Sequence, residues 1–191
     1  LHVNHVVEAP RYGTLMCVNG TGILNRWMRE HVANGLDYAA LNDLAAQSPV
    51  GARGLSVLPY GNGAERTLGN LDPGASVHGL RFNEHTRSDF LRAAQEGIVY
   101  ALSYGCDIMR EMGIRVTTVR AGNDNMFLSP LFAEAFATIL DATVELVEAD
   151  GAQGAARGAG VGIGHSDLSQ KALRPLRTID PNHKLAGAYR A

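Results

Sequence analysis

The sequence predicts an α/β fold, and three observations carry that reading. Val116 to Val119 is β-branched throughout, as in a strand buried on both faces, and it opens into the loop Ala121-Gly122-Asn123-Asp124-Asn125. Directly after it, Leu131, Phe132, Ala135, Phe136, Ile139 and Leu140 recur at helical spacing behind Ser129 as N-cap and Pro130 at the first helical position. A longer amphipathic pattern precedes this unit, and short strand-like runs alternate with both. Strand, Gly/Asn loop and helix in that order form a unit that α/β proteins use for nucleotides, because backbone N–H groups meet the positive end of the following helix there. A lone glycine after a strand is by itself a plain turn, so other residues must carry a functional reading.

Taken in order, Leu1 to Arg11 mixes apolar and polar residues. His2 and His5 lack the two further ligands that a metal site needs. Thr14 to Val18 reads as a short strand, turned by Asn19-Gly20-Thr21-Gly22 into a helix whose stripe is Ile23, Leu24, Trp27, Met28 and Val32. Gly22 at its start would admit a ligand close to the backbone. Tyr38 to Ala46 is a second short helix, ended by Ser48-Pro49, and Leu55 to Leu58 is a strand. The turn-rich loop Pro59 to Gly74 follows, in which Glu65-Arg66 is either a surface pair or an ion pair that shapes the loop. Ser76 to Leu80 is a third candidate strand.

The long helix is capped by Thr86, with Asp89 three residues on to answer the cap and the dipole. Phe90, Leu91, Ala94, Ile98, Ala101, Leu102, Gly105, Met109 and Met112 keep one apolar face until Gly113 stops it, a span of roughly 39 Å at about 1.5 Å per residue. Gly97 in its middle would cost about 1 kcal/mol against alanine, so it marks close packing against a neighbouring element. His78 and His85 nearby read as ordinary polar contacts. Val144 to Val147 is a further strand. Gly151 to Gly164, almost all small residues, is either a packed helix that another backbone can approach or a flexible linker, and the strand before it favours the helix. His165-Ser166-Asp167 are consecutive and cannot face one another as a triad. The polar tail ends in a helix near Leu185 to Ala191.

Composition narrows the function classes. At 191 residues and 46% hydrophobic content the chain can bury one ordinary core, and a formal charge of −2 with scattered Lys and Arg gives no footprint for nucleic acid. No apolar run of about 18 residues is present to span a bilayer. Cys17 and Cys106 lie far apart without paired spacing, which suits buried thiols in a reducing, cytoplasmic compartment. The chain starts Leu1-His2-Val3 without Met and reads as a piece of a longer protein.

Several segments together resemble the C-terminal half of the FGGY carbohydrate kinases, nearest the xylulokinases. Gly54 to Pro73, GLSVLPYGNGAERTLGNLDP, is similar to that family's Gly-Leu-x-x-x-Pro-Tyr-x-x-Gly-Glu-Arg-x-Pro…Asp-Pro segment, and Arg92-Ala93-Ala94-Gln95-Glu96-Gly97 to its Arg-Ala-x-x-Glu-Gly helix. Asp150 to Gly160 resembles its final Gly-Ala-Ala helix, and Ala121 to Phe132 its nucleotide loop. The resemblance implies an actin-like, ribonuclease-H-like domain with a mixed five-stranded sheet flanked by helices. It divides the chain into a nucleotide-side lobe over residues 1–165 and a helical tail over 166–191, with the sugar-binding N-terminal lobe absent.

It further implies ATP and Mg²⁺ as cofactors, and a keto-sugar such as xylulose as phosphoryl acceptor on the missing lobe, which also supplies the catalytic base. Carried over by position, Gly22 matches a glycine facing the nucleotide, Arg26 falls where glycerol kinases have a nucleotide-contacting Gln, and Gly122, Asn123 and Asn125 belong to the adenosine loop. Catalytic and metal-ligating residues are expected outside this chain, and the lone lobe is expected inactive and prone to pair as a homodimer. Arg120-Ala121 in place of the usual leading glycine, Leu68 in place of a Pro and an extra residue before Glu65 mark a divergent branch. The competing expectations are a non-catalytic actin-like module for nucleotide binding or assembly, and a structural domain with a degenerate loop.

Overall fold

The structure, a computed structural model, describes residues 2–3, 12–148, 151–165 and 174–190. In chain order it contains β1 (His2–Val3), β2 (Tyr12–Gly13), α1 (Thr21–Trp27) running into a π turn at Met28–Val32, α2 (Tyr38–Ala46), β3 (Ser56–Leu58) and β4 (Ser76–His78). Next come α3 (Arg87–Glu111), β5 (Thr118–Gly122), α4 (Pro130–Leu140), β6 (Thr143–Val147), α5 (Gly151–Gly162), β7 (Pro175–Ile179) and α6 (Ala186–Arg190). His5, Asp150 and the run 166–173, including Ser166 and Asp167, lie outside the described residues.

Helix α3 is the axis of the molecule: β3, α2 and α4 all pack along it. Leu91, Ala94, Ile98 and Ala101 recur on its buried side at helical spacing, and burying each large apolar side chain contributes roughly 1.5–3 kcal/mol. Gly97 sits where α3 crosses β3, and a Cβ there would overlap the Val57 carbonyl, which is why glycine occupies a helix interior. Gly113, at φ +84°, closes the helix and donates to Arg110 O at 2.9 Å. Beside α3, Phe127, Phe132 and Phe136 meet edge-on and tilted at 5.3–6.0 Å between ring centroids, fixing α4 against the core.

The main sheet is mixed, in order β5-β6-β7, with β5 parallel and β7 antiparallel to β6. The parallel pair needs a crossover, which a short 3₁₀ turn and α4 provide. Strand β7 was not legible in the sequence: Pro175 at its start and a polar, Arg-containing run hide it, and it becomes a strand only by laddering onto β6. Its tail continues into α6, whose Tyr189 is buried in the main core.

Four expectations change. Among the described residues the largest sheet has three strands rather than five, because β3 and β4 pair only with each other and Thr14 to Val18 has no neighbour to ladder with and runs irregularly. The strand expected at Val116 to Val119 is found at Thr118–Gly122 and is partly exposed, since β5 is an edge strand among the described residues; β-branching marked a strand, not its burial. Cys17 is exposed while Cys106 is buried. Gly151–Gly162 is a helix, but side chains along it are largely exposed and added Cβ atoms at glycines 151, 154, 158 and 162 would meet nothing within 4 Å, so no other backbone closes on it at these glycines. His78 and His85 make ordinary contacts, to Ser76 Oγ at 2.8 Å and to Arg81 N–H at 2.8 Å.

The cap of α3 is a small buried polar knot. Asp89 accepts from Thr86 N–H and Oγ1–H at 2.8 Å each and from Ser48 Oγ–H at 2.7 Å, with the Arg53 guanidinium 3.3 Å away. Burial alone would raise its carboxyl, but the hydrogen bonds from Ser48 and Thr86 and the charge of Arg53 overcome this and hold it at about 2. A depressed carboxyl pKa stabilises the fold above the unfolded value near 4 and loses that contribution as pH falls toward 2. The wild-type chain is therefore expected to lose on the order of 2 kcal/mol from this group between about pH 4 and pH 2. Asp89→Asn should flatten that limb of a stability-against-pH curve measured by urea unfolding.

Candidate functional site

The start of α1 is held by the loop it faces. Gly20 lies against Pro59, where a Cβ would overlap the carbonyl, so the turn into α1 can be made only by glycine. Glu65, fully buried at 0% exposure, accepts the Asn19 N–H on both carboxylate oxygens at 3.0 and 3.2 Å. Asn19 Nδ2 donates to Ala64 O at 2.8 Å, and Asn62 Nδ2 to Asn19 O at 3.3 Å. Glu65 thus shapes the loop, yet not through a pair with Arg66: its buried carboxylate takes the Asn19 N–H just ahead of α1, and the neighbouring Arg66 side chain stays exposed. This anchoring fixes where α1 presents Gly22 and, one turn on, Asn25.

On the other side, Asn123 N–H donates to Val147 O at 3.0 Å, extending the β5–β6 ladder by one bond before the chain turns away. Asn125 takes a left-handed backbone, φ +47°, tolerated by asparagine better than by most residues, and opens the 3₁₀ turn Asn125–Leu128. Ser129 then caps α4, accepting from Phe132 N–H at 3.3 Å, with Pro130 at the first helical position. Tyr38 and Asn42 of α2 face this turn. The Arg29 guanidinium lies 5.2 Å over the Tyr38 ring and steadies it.

Between α1, α2 and the Asn125 turn lies a cleft of about 280 Å³, lined by Gly22, Asn25, Tyr38, Asn42, Asn125, Met126, Leu128 and Ser129. The lining holds three carboxamides, two hydroxyls and two apolar side chains, with no ionisable carboxylate or amine among them. Such a wall reads a hydrogen-bonding pattern rather than a charge, and Met126 and Leu128 suit the faces of a flat ring. A Cβ at Gly22 would meet nothing within 4 Å, so the glycine leaves the cleft mouth open at the backbone. This donor set fits the base and sugar of a nucleoside.

Of the five residues singled out in the sequence, Gly22 and Asn125 meet across this cleft although they are 103 positions apart. Arg26 shares the α1 face with Gly22 one turn further on, is exposed, and makes no hydrogen bond or ion pair among the described residues. Gly122 and Asn123 do not line the cleft; they end β5 and aim the turn that carries Asn125. Arg120, which precedes the loop, is drawn to Glu145 across the ladder at 2.7 Å and is not part of the lining. Asn25, Tyr38 and Asn42 were missed. The i, i+3 spacing of Gly22 and Asn25 could have found the first; nothing local marks the other two, because α2 reaches the cleft only through its packing on α3.

A second groove of about 330 Å³ runs between α1 and the β3–β4 hairpin, lined among others by Ile23, Trp27, Val57, Val77 and Phe90. Ile23 and Trp27 belong to the stripe expected to be core, yet they are 44% and 49% exposed.

No protein-family model matches the chain. It is 34% identical over 106 residues to the xylulose kinase of Haemophilus influenzae, covering 56% of this chain and 21% of that protein. It is 31% identical over 140 residues to a Staphylococcus epidermidis xylulose kinase, covering 71% of this chain and 28% of that one. Among solved structures, the xylulose kinase of Rhodospirillum rubrum superposes with a TM-score of 0.72 at 29% identity, over 89% of this chain and 35% of that chain. The chain therefore spans about a fifth to a third of the length of the proteins it resembles. The shared fold is the actin-like ATPase fold of the FGGY sugar kinases, α/β with a mixed sheet flanked by helices.

Proposed function

We propose that this chain, a homologue of xylulose kinases with the fold of the FGGY sugar kinases, is the C-terminal, nucleotide-side lobe of an ATP-dependent carbohydrate kinase that phosphorylates a keto-sugar such as xylulose. The observation that carries the reading is the convergence of Gly22 and Asn125 on one amide-lined cleft. ATP supplies the γ-phosphoryl group when bound, and Mg²⁺ is assigned to its phosphates. The chain's own contribution is positional. Asn25, Asn42 and Asn125 present hydrogen-bonding groups to the base and sugar, Gly22 admits the ligand to the backbone, and Arg26 stands one turn away as an exposed cation for its phosphates. Holding two reactants in line is the larger part of what a phosphoryl-transfer enzyme must do, so a nucleotide lobe without the sugar lobe should bind and not turn over.

The test is coupled ADP release by the full-length protein with pentuloses, hexuloses and polyols. Sugar-stimulated release is the expected result. Its absence with every acceptor, alongside retained ATP binding, would instead favour a non-catalytic actin-like module. The isolated chain exposes Ile23, Trp27, Val77 and Phe82, the last at 91%, and is expected to self-associate. Light scattering that shows a monomer at micromolar concentration would contradict this.

A further inference from the structure

The wall of the cleft formed by α2 and the start of α4 carries a directional chain of hydrogen bonds. Ser129 Oγ already accepts the Phe132 N–H, and Ser129 is 2% exposed, so its own proton must go to an acceptor inside the protein. The acceptor in reach is Gln95 Oε1, 2.8 Å away on α3. That contact orients the Gln95 carboxamide, itself 1% exposed: Nε2 faces α2 and donates to Asn42 Oδ1 at 3.0 Å. Turning Gln95 over would aim Nε2 at Ser129 and leave the buried hydroxyl proton with no acceptor. With Oδ1 held toward Gln95, the Nδ2 hydrogens are what Asn42 has free to offer elsewhere. These have no partner among the described residues, and Asn42 lines the cleft.

We propose that Asn42 is a specificity-determining residue that turns its hydrogen-bond donor toward the bound nucleoside, with Gln95 as the buried positioning residue that fixes this orientation. The inference deepens the nucleotide reading and rests on it. A purine presents acceptors at its ring nitrogens and, in adenine, a donor at the exocyclic amino group. A donor at Asn42 takes a ring nitrogen and turns an amino group away, which narrows the orientations in which the base can dock. Gln95 touches no ligand; it acts because a carboxamide has two different ends and the Ser129 proton decides which end faces which way.

The test is calorimetric titration of the full chain with ADP and with its 1-deaza, 3-deaza and 7-deaza analogues, in wild type, Asn42→Asp and Gln95→Glu. Asn42→Asp keeps one oxygen toward Gln95 Nε2 and converts the cleft-facing group from a donor to a charged acceptor, whose repulsion acts on all four ligands alike and leaves the discrimination among them as the readout. Gln95→Glu accepts from Ser129 with one oxygen and faces α2 with the other, which forces Asn42 to turn Nδ2 inward and Oδ1 outward. Both are expected to weaken ADP by about 10-fold, the scale of one lost hydrogen bond to the ligand. Wild type is expected to lose about 10-fold on one deaza analogue alone, and both variants to lose that discrimination. A merely structural role would weaken all four ligands equally. Should Gln95→Glu fail to fold, Asn42→Asp, at a partly exposed position, decides by the same scan. ADP binding with equal affinity for all three analogues, or an Asn42→Asp chain that discriminates as wild type does, overturns the inference while the nucleotide reading stands. A wild-type chain that binds no ADP overturns that reading and the inference with it.

Discussion

Replacing Gly97 with valine is expected to cost the fold more than about 3 kcal/mol, enough to leave much of the chain unfolded if its stability lies in the usual range of roughly 5–15 kcal/mol. The direction is not obvious from helix propensity, which favours valine over glycine by a few tenths of a kcal/mol. Sterics decide it. A Cβ at position 97 would overlap the carbonyl carbon and oxygen of Val57, and these are backbone atoms of β3, not the end of a side chain that can swing aside. Strand β3 is laddered to β4 over Ser56–Leu58 and its Val57 is 2% exposed, so moving the carbonyl means moving the strand off the core. Overpacking that side chains can absorb costs about 1–3 kcal/mol, and here the backbone must yield instead. Urea unfolding followed by circular dichroism measures it, with Gly97→Ala showing a smaller loss in the same direction. A wild-type midpoint for the valine variant would mean that α3 and β3 do not touch as described.

The second large effect is expected at Arg92→Leu. Arg92 and Glu96 are a buried i, i+4 pair, 2.6 Å between Nε and Oε1. The same guanidinium donates to Ser48 O at 2.7 Å and to the Tyr189 hydroxyl at 3.4 Å. Glu96 in turn accepts the Gly51 N–H at 3.2 Å on both oxygens. Removing one partner strands the other charge in the core, a loss of about 3–5 kcal/mol. The pH dependence identifies the cause. Burial already pushes the Glu96 carboxyl up, against the opposing pull of Arg92 and the Gly51 hydrogen bond. Without Arg92 it rises further, so the folded state binds a proton more readily than the unfolded chain. Such a group contributes its stability below the unfolded value and loses it as pH rises through the folded one. The deficit of Arg92→Leu relative to wild type should therefore shrink when urea unfolding is moved from pH 8 to pH 5.5. A deficit independent of pH would place the damage in lost packing rather than in the stranded carboxylate. Because Arg92 and Tyr100 both hold Tyr189, the Tyr100 hydroxyl donating to the Tyr189 carbonyl at 2.9 Å, the variant should also release α6 to limited proteolysis.

Local signals were sufficient wherever a feature is decided within one turn or one strand. The Thr86 and Ser129 caps, Pro130, the glycine stop at 113 and the start of α2 at Tyr38 all stand where the sequence placed them, because a cap is chosen by the backbone donors of its own first turn. Gly97 was legible for the same kind of reason: a glycine that weakens its own helix implies a neighbour too close for a side chain. The resemblance carried by Gly54 to Pro73, Arg92 to Gly97 and Ala121 to Phe132 led to the fold that the xylulose kinase structures share.

What the sequence determined by itself was therefore the α/β character, the helices with their ends, and which loops were candidates for a ligand. Tertiary structure alone decided which of those loops meet. It placed Asn42 and Tyr38 opposite Asn125 through the packing of α2 on α3, buried Glu65 under the entry to α1, made a strand of Pro175–Ile179, and left β5 and α5 without the cover their composition suggested. The physical reason is one of range. Caps, turns and helical periodicity are set by neighbours a few residues away, whereas strand order, burial and the shape of a cleft depend on which distant surface arrives, and no single stretch of chain holds that information.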